Sequence, residues 1–435
     1  MRHRISVAIL ITLFAATFCA AADEDPYLWM EEVENEKALD WAKARSETDT
    51  AVIEATPEYA EIHAQLIEIY NSKDRIPVPQ VRGAWIYNFW QDEEHVRGVW
   101  RRAFLSEYVK ESPAWETVLD LDTLAATEEE NWVWSEVSCL QPDYRHCMIG
   151  LSRGGADATV VREFDTVAME FVEGGFTVPE AKHQISWKDK KTLWVATDFG
   201  EGSLTSSGYA RIVKEWNRGT PMSEAKTVYE GSVDDAFVYA FSDHTPEGRT
   251  DFVSVIPEFF RGTSYINLGG RLVKLDFPED AQLRGVFKEH ILISLRSDWR
   301  VNGSTYPQDA LIAIGLDDFL MGKRKFDVLF EPQERVSFDQ VGSTRNHLIF
   351  STLDNVHSRL YRLAPTEDGW SKEEIELPGI GTVRLNQRGV AGSFFSDSSD
   401  HFFFTYTDFV TPTSLYLVGQ EGTPKRVKTS PAWFD

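Results

Sequence analysis

Two hydrophobic patterns divide the chain. Residues 35–54 set Ala38, Leu39, Trp41 and Ala42 among charged positions. Residues 57–70 place Tyr59, Ile62, Leu66, Ile67 and Tyr70 on one helical face. Pro57 suits the first turn of that second helix, and Pro77 and Pro79 end the helical region. Ahead of both, residues 25–32 read as an extended aromatic segment. From about residue 80 the period changes. Short alternating or aromatic runs follow one another, separated by Gly, Asp, Asn and Pro. Trp132–Cys139, Thr192–Thr197, Leu311–Gly315 and Ser414–Val418 are examples of strand length and composition. Helical patterns nearly vanish here, and Asp317–Gly322 is at most one turn.

The strands fall into clusters of about four, with boundaries at 80–124, 130–178, 183–231, 234–277, 281–331, 335–378 and 382–430. A repeat of roughly 50 residues is the size of a propeller blade. The expected fold is therefore all-β, a seven-bladed β-propeller preceded by a short N-terminal helical segment. A pair of β-sandwiches, or an irregular β protein, is the alternative that the pattern leaves open.

Composition narrows the choice of partner. The chain has 435 residues, with 69 acids against 44 bases and a net charge of −25. Such a surface disfavours nucleic acid and anionic membranes, whose binding relies on Lys and Arg neutralising phosphate. Residues 1–22 read as a secretory signal peptide. Arg2 and Arg4 precede a short apolar stretch from Val7 to Phe18, and Ala20-Ala21-Ala22 supplies small residues for cleavage. The mature protein is expected to be secreted or periplasmic. Cys139 and Cys147 then remain, in strand-like runs either side of Gln141–Arg145. On a hairpin they could lie opposite one another and form a disulfide. Two buried thiols are the other reading.

Candidate chemistry centres on Gly150-Leu151-Ser152-Arg153-Gly154, which fits G-x-S-x-G. A nucleophile elbow requires a strand, a sharp turn and then a helix. Here Gly154 and Gly155 break helix, and Thr159-Val160-Val161 is β-branched. The stretch therefore reads as a hairpin within a blade, with Ser152 at the end of a strand. A hydrolase built around Ser152 would need a helix after Gly155. No catalytic residue is assigned in the chain. Gly200-Glu201-Gly202 and Gly379-Ile380-Gly381 lack the context of a dinucleotide site, and Gly322-Lys323 lacks that of a P-loop. No Cys/His spacing indicates a metal, and no cofactor is expected. The acidic groups Glu128–Glu130, Asp234-Asp235 and Asp317-Asp318 read as solvated turns. Trp132 and Trp134 read as one face of a buried strand.

Longer runs carry a resemblance. Asp25-Pro26-Tyr27-Leu28-Trp29, Arg97-Gly98-Val99-Trp100-Arg101-Arg102 and Leu119-Asp120-Leu121-Asp122 come first. Ser152-Arg153-Gly154-Gly155-Ala156-Asp157 and Arg162-Glu163-Phe164-Asp165 follow. Thr197-Asp198-Phe199-Gly200-Glu201-Gly202 runs on towards Trp216-Asn217-Arg218-Gly219-Thr220, and Thr411-Pro412-Thr413-Ser414-Leu415-Tyr416 closes the set. Together they resemble the N-terminal segment and propeller of prolyl-oligopeptidase-like serine peptidases, over essentially all of Asp25–Asp435. The resemblance implies residues 23–76 as an N-terminal segment, 77–430 as the propeller and 431–435 as the start of a linker. It also implies a C-terminal α/β-hydrolase domain, outside this chain, that carries a Ser-Asp-His triad. The chain is then expected to be a fragment that gates access of short peptides to that domain and hydrolyses nothing alone. If the helices normally pack on the hydrolase domain, Trp41, Leu66 and Ile69 should be uncovered. A stand-alone propeller that binds peptides or another protein is the second reading.

Overall fold

The computed structural model describes residues 25–32, 35–385 and 398–433. The expected leader, 1–22, lies outside them, as do residues 434–435 of the expected linker. Among the described residues no helix is long and apolar enough to cross a membrane. Chain contacts divide the protein into two units, Met1–Ser72 and Lys73–Asp435.

In the first unit, a helix spans Glu36–Glu54, and the Asn35 side chain caps it by accepting from the Ala38 N–H at 3.2 Å. A second spans Tyr59–Asn71. It starts two residues after Pro57, which therefore lies before the helix rather than in its first turn. The segment expected to be extended contains a 3₁₀ turn, Leu28–Met30, with Lys37 over the Trp29 ring. Neither helix has a buried residue. Trp41 and Leu66 are exposed and Ile69 is partly covered.

The second unit is a seven-bladed β-propeller. Its blades span Gln80–Asp120, Trp132–Ala181, Gln184–Glu230, Phe237–Lys274, Gln282–Phe330, Val336–Ile375 and Thr382–Thr429. Each is an antiparallel meander of four main strands, so the boundaries lie close to those expected from strand clustering. The second blade has a fifth strand, Thr177–Ala181, paired with its third. The fifth carries an extra hairpin, Trp299–Val301 with Ser304–Tyr306, between its second and third strands. A helix at Leu121–Glu128, capped by Asp120, was not expected from the pattern. It is too short for its periodicity to stand out.

Burial follows strand position. Second strands such as Thr192–Ala196 and Phe402–Tyr406 are buried along their length, because a neighbouring blade covers each face. This is why their sequences read as apolar runs rather than alternation. First strands are half-buried, as in Val336–Ser343. Those of neighbouring blades also touch one another, including Gln184–Asp189 with Phe237–Thr245, so they are innermost and line the channel. Polar side chains stitch this inner ring. The Trp187 Nε1–H donates to the Ser138 carbonyl at 3.0 Å, and the Val286 N–H to the Asp243 carboxylate. Gln340 accepts from the Leu385 N–H and donates to the Val383 carbonyl.

Each pair of adjacent blades shares a hydrophobic cluster. The last joins the two ends of the ring. All four strands of blade seven come from one continuous stretch, so side chains close the ring, through Ile86 and Tyr108 of blade one against Phe403 and Leu415 of blade seven. Tyr108 meets Phe403 edge-on at 5.6 Å, and its hydroxyl donates to the Pro77 carbonyl at 2.7 Å.

Candidate functional site

Topology selects one end of the propeller. A four-stranded meander begins and finishes at the same end of its sheet. The turns between second and third strands, and the connections between blades, therefore share that end. The chain also enters there before Gln80 and leaves there after Thr429. The five most exposed large apolar side chains among the described residues all belong to these segments: Ile380 at 73 %, Val356 at 80 %, Phe259 at 85 %, Val410 at 92 % and Phe409 at 102 %. Turns are ordinarily polar, so this concentration makes the end a candidate interaction surface.

Three cavities open at the same end. One, of about 310 Å³, lies among blades two, three and four. In it the Glu136 carboxylate sits 3.9 Å from His183 Nδ1 and accepts no hydrogen bond from the described residues. Burial pushes the Glu136 carboxyl up. His183 is held through Nε2 by the Thr159 hydroxyl, and its Nδ1 is buried without a hydrogen-bond partner among the described residues. Burial lowers its pKa to about 4, so the ring is neutral at pH 7. Lys182 lies over the Tyr209 ring and 3.7 Å from Asp157.

The second cavity, of about 280 Å³, lies between blades four and five. The inner strand of blade four contributes an aromatic ladder. Phe237 and Tyr239 are 5.9 Å apart, as are Tyr239 and Phe241. Opposite stand Arg284 and Arg296. The third, of about 600 Å³, lies between blades six and seven. There Arg359 bridges Asp354 at 2.8 Å and Glu374 at 2.9 Å, so its charge is already matched.

The residues singled out in the sequence fall elsewhere. Ser152 is 3 % exposed, on the strand His146–Arg153 and paired with Val133. Gly154 and Gly155 then turn the chain at φ +66° and +86°, and the next element is the strand Thr159–Asp165. No helix follows, so no nucleophile elbow forms. Cys139 and Cys147 face one another in the register of that blade, with an S–S distance of 1.98 Å. The acidic group Glu128–Glu130 is more engaged than a solvated turn. Glu128 takes Arg162 at 2.8 Å and the Trp132 indole N–H at 2.7 Å, and Glu130 takes Arg153. Trp132 is buried, and Trp134 stacks on Phe89 at 4.8 Å. Among the described residues no cluster of His, Cys, Asp and Glu could hold a metal. Sequence reasoning missed Glu136, His183, Arg284 and Arg296, which only blade packing assembles. Phe259-Phe260, two aromatics in a turn, was a readable signal.

Comparison with known proteins places these features. Residues 15–428 match the family model described as prolyl oligopeptidase, N-terminal beta-propeller domain. An uncharacterized peptidase of Sinorhizobium fredii is 32% identical over 426 residues, 94% of this chain and 57% of its own length. An uncharacterized peptidase of Rickettsia prowazekii is 27% identical over 410 residues, 89% of this chain and 55% of its own. The chain thus spans little more than half the length of these curated relatives. Among solved structures, a post-proline cleaving enzyme from Rickettsia typhi superposes with a TM-score of 0.87 at 25% identity, covering 94% of this chain and 60% of that one. Oligopeptidase B from Leishmania major gives a TM-score of 0.69 at 17% identity, over 95% and 57%.

Proposed function

Because the chain belongs to the prolyl oligopeptidase family through its N-terminal propeller domain, we propose that it is the substrate-filtering propeller of a secreted or periplasmic serine peptidase acting on short peptides. The observation that carries this reading is the apolar end of the propeller. Its most exposed apolar side chains, three cavities and both chain connections occur at one end, while a fourth cavity, of about 440 Å³, opens at the other. A second domain joined through those connections meets that end first. Covering it would remove the exposed apolar side chains from water and enclose the cavities, leaving narrow routes by which only short peptides enter.

The acyl-enzyme chemistry in this reading belongs to a C-terminal α/β-hydrolase domain with a Ser-Asp-His triad. The propeller contributes selection by size and by the groups at its channel mouth. The Cys139–Cys147 pairing supports an oxidising compartment, since such bonds persist there. A fluorophosphonate probe tests the division of labour. The purified chain is expected to remain unlabelled. Label that disappears in Ser152→Ala would place a nucleophile in the propeller and overturn the reading.

A further inference from the structure

We infer that the cavity between blades four and five is a binding site for the free C-terminal carboxylate of a short peptide, with Arg284 and Arg296 as its recognition groups. The inference rests on the peptidase reading for its substrate class. The site itself rests on geometry.

Arg284 is the extra residue of a β-bulge, because the pairing of Gln282–Phe287 with His290–Ser294 shifts register between Leu283 and Gly285. A bulge re-aims a side chain at a cost in ladder pairing. Here the surroundings fix it. Gly285 has φ +99°, a conformation that favours glycine, and a Cβ there would meet the Asp243 carboxylate at 2.6 Å. That carboxylate takes the Val286 N–H. The guanidinium delivered by the bulge donates through Nε to the Ser294 hydroxyl at 2.8 Å and lies 5.6 Å from the Phe338 ring centre. Arg296 lies over Phe260 at 4.9 Å. Among the described residues neither arginine forms an ion pair, in a chain of net charge −25. Nearby acids do not supply one. Glu279 is taken by Arg261 at 2.9 Å and Lys274 at 3.7 Å, and Asp280 on the rim makes no ion pair with either. Partial burial and the neighbouring Arg296 disfavour the charged form of Arg284, while both side chains keep a face to solvent, so an anion between the two favours both charges.

The shape selects the anion. A volume of about 280 Å³ is near the lower end of ligand clefts. Tyr239 and Phe260 offer aromatic faces for an amino-acid side chain beside the charge. Guanidinium forks match a carboxylate in two-point contact, while the acidic surface disfavours nucleic acid.

Calorimetry on the purified chain tests this with Ala-Ala-Phe as the free acid and as its C-terminal amide. The acid is expected to bind at least about tenfold tighter, a difference that shrinks with added salt. Arg284→Gln and Arg296→Gln should each abolish the preference. Arg359→Gln should keep it, because Arg359 lies at another cavity with its charge matched by Asp354 and Glu374. Arg296 is on a loop, so its variant should fold if the bulge variant does not. Equal binding of acid and amide, or of neither, overturns the inference. So does inorganic phosphate displacing the acid at equal affinity, which would mark a general anion site. The peptidase reading falls separately. If a longer chain carrying a hydrolase domain took no fluorophosphonate label while acid and amide were still distinguished here, the site would stand and the peptidase reading would not.

Discussion

At the residue scale, the most consequential buried charge is Glu163. Its carboxylate is inaccessible to solvent and receives Arg218 through two N–H groups at 2.7 and 2.8 Å. It also receives the Phe176 N–H at 3.0 Å and lies 2.9 Å from His146 Nδ1. Burial alone would raise its pKa. Arg218, the Phe176 N–H and His146 outweigh that and hold it below the ordinary value. A carboxylate with a depressed folded pKa contributes stability above its unfolded pKa and loses it as pH falls through the folded one. Stability should therefore decline as pH drops below about 4.5. Glu163→Gln strands the Arg218 guanidinium and should cost about 3 kcal/mol at pH 7. It should also flatten that part of the acid limb. Urea melts at pH 7 and pH 4 on both proteins would show this. A variant equally stable at pH 7 would mean the cluster is not formed.

At the scale of elements, the meander of residues 132–165 joins a readable pattern to a covalent link. Its strands, the glycine turn at Gly154-Gly155 and the absence of a helix after Ser152 follow from local chemistry, and all were legible in those residues. The disulfide was legible only as one of two readings, because sequence spacing cannot say whether two strands pair in register. With a separation of 8 residues, loop-closure entropy gives about 2–3 kcal/mol. Cys139→Ser with Cys147→Ser should lose that amount in a thermal melt. Non-reducing mass spectrometry of the unaltered chain should find both thiols oxidised, and free thiols in a protein purified from an oxidising compartment would contradict the pairing. The Leu121–Glu128 helix was not legible, since two turns give too short a window for its period. Pro57 was misplaced because proline favours the region just before a helix nearly as well as its first turn.

For the whole molecule, the ring is a sum of seven apolar interfaces, and no blade-to-blade chain connection crosses the one between blades one and seven. Truncating Phe403, a fully buried ring in contact with Tyr108, should cost about 3–5 kcal/mol. Hydrogen exchange should then show blades one and seven losing protection before blade four. Uniform loss around the ring would indicate that the seam is no weaker than the other interfaces.

What the sequence determined by itself was local. Strand period, turn residues and a roughly 50-residue spacing identify blades, because each of these signals comes from neighbours along the chain. Long runs such as Arg97–Arg102 and Thr411–Tyr416 pointed to the family for the same reason. Tertiary structure alone decided where charge goes unmatched. Arg284 is aimed by a bulge that Asp243 of the preceding blade pins in place. Arg296 joins it from a loop of the same blade, and the nearby acid Glu279 is held by Arg261 and Lys274. These residues come from two neighbouring blades and the connection between them, and only the packing of those blades brings them to one mouth.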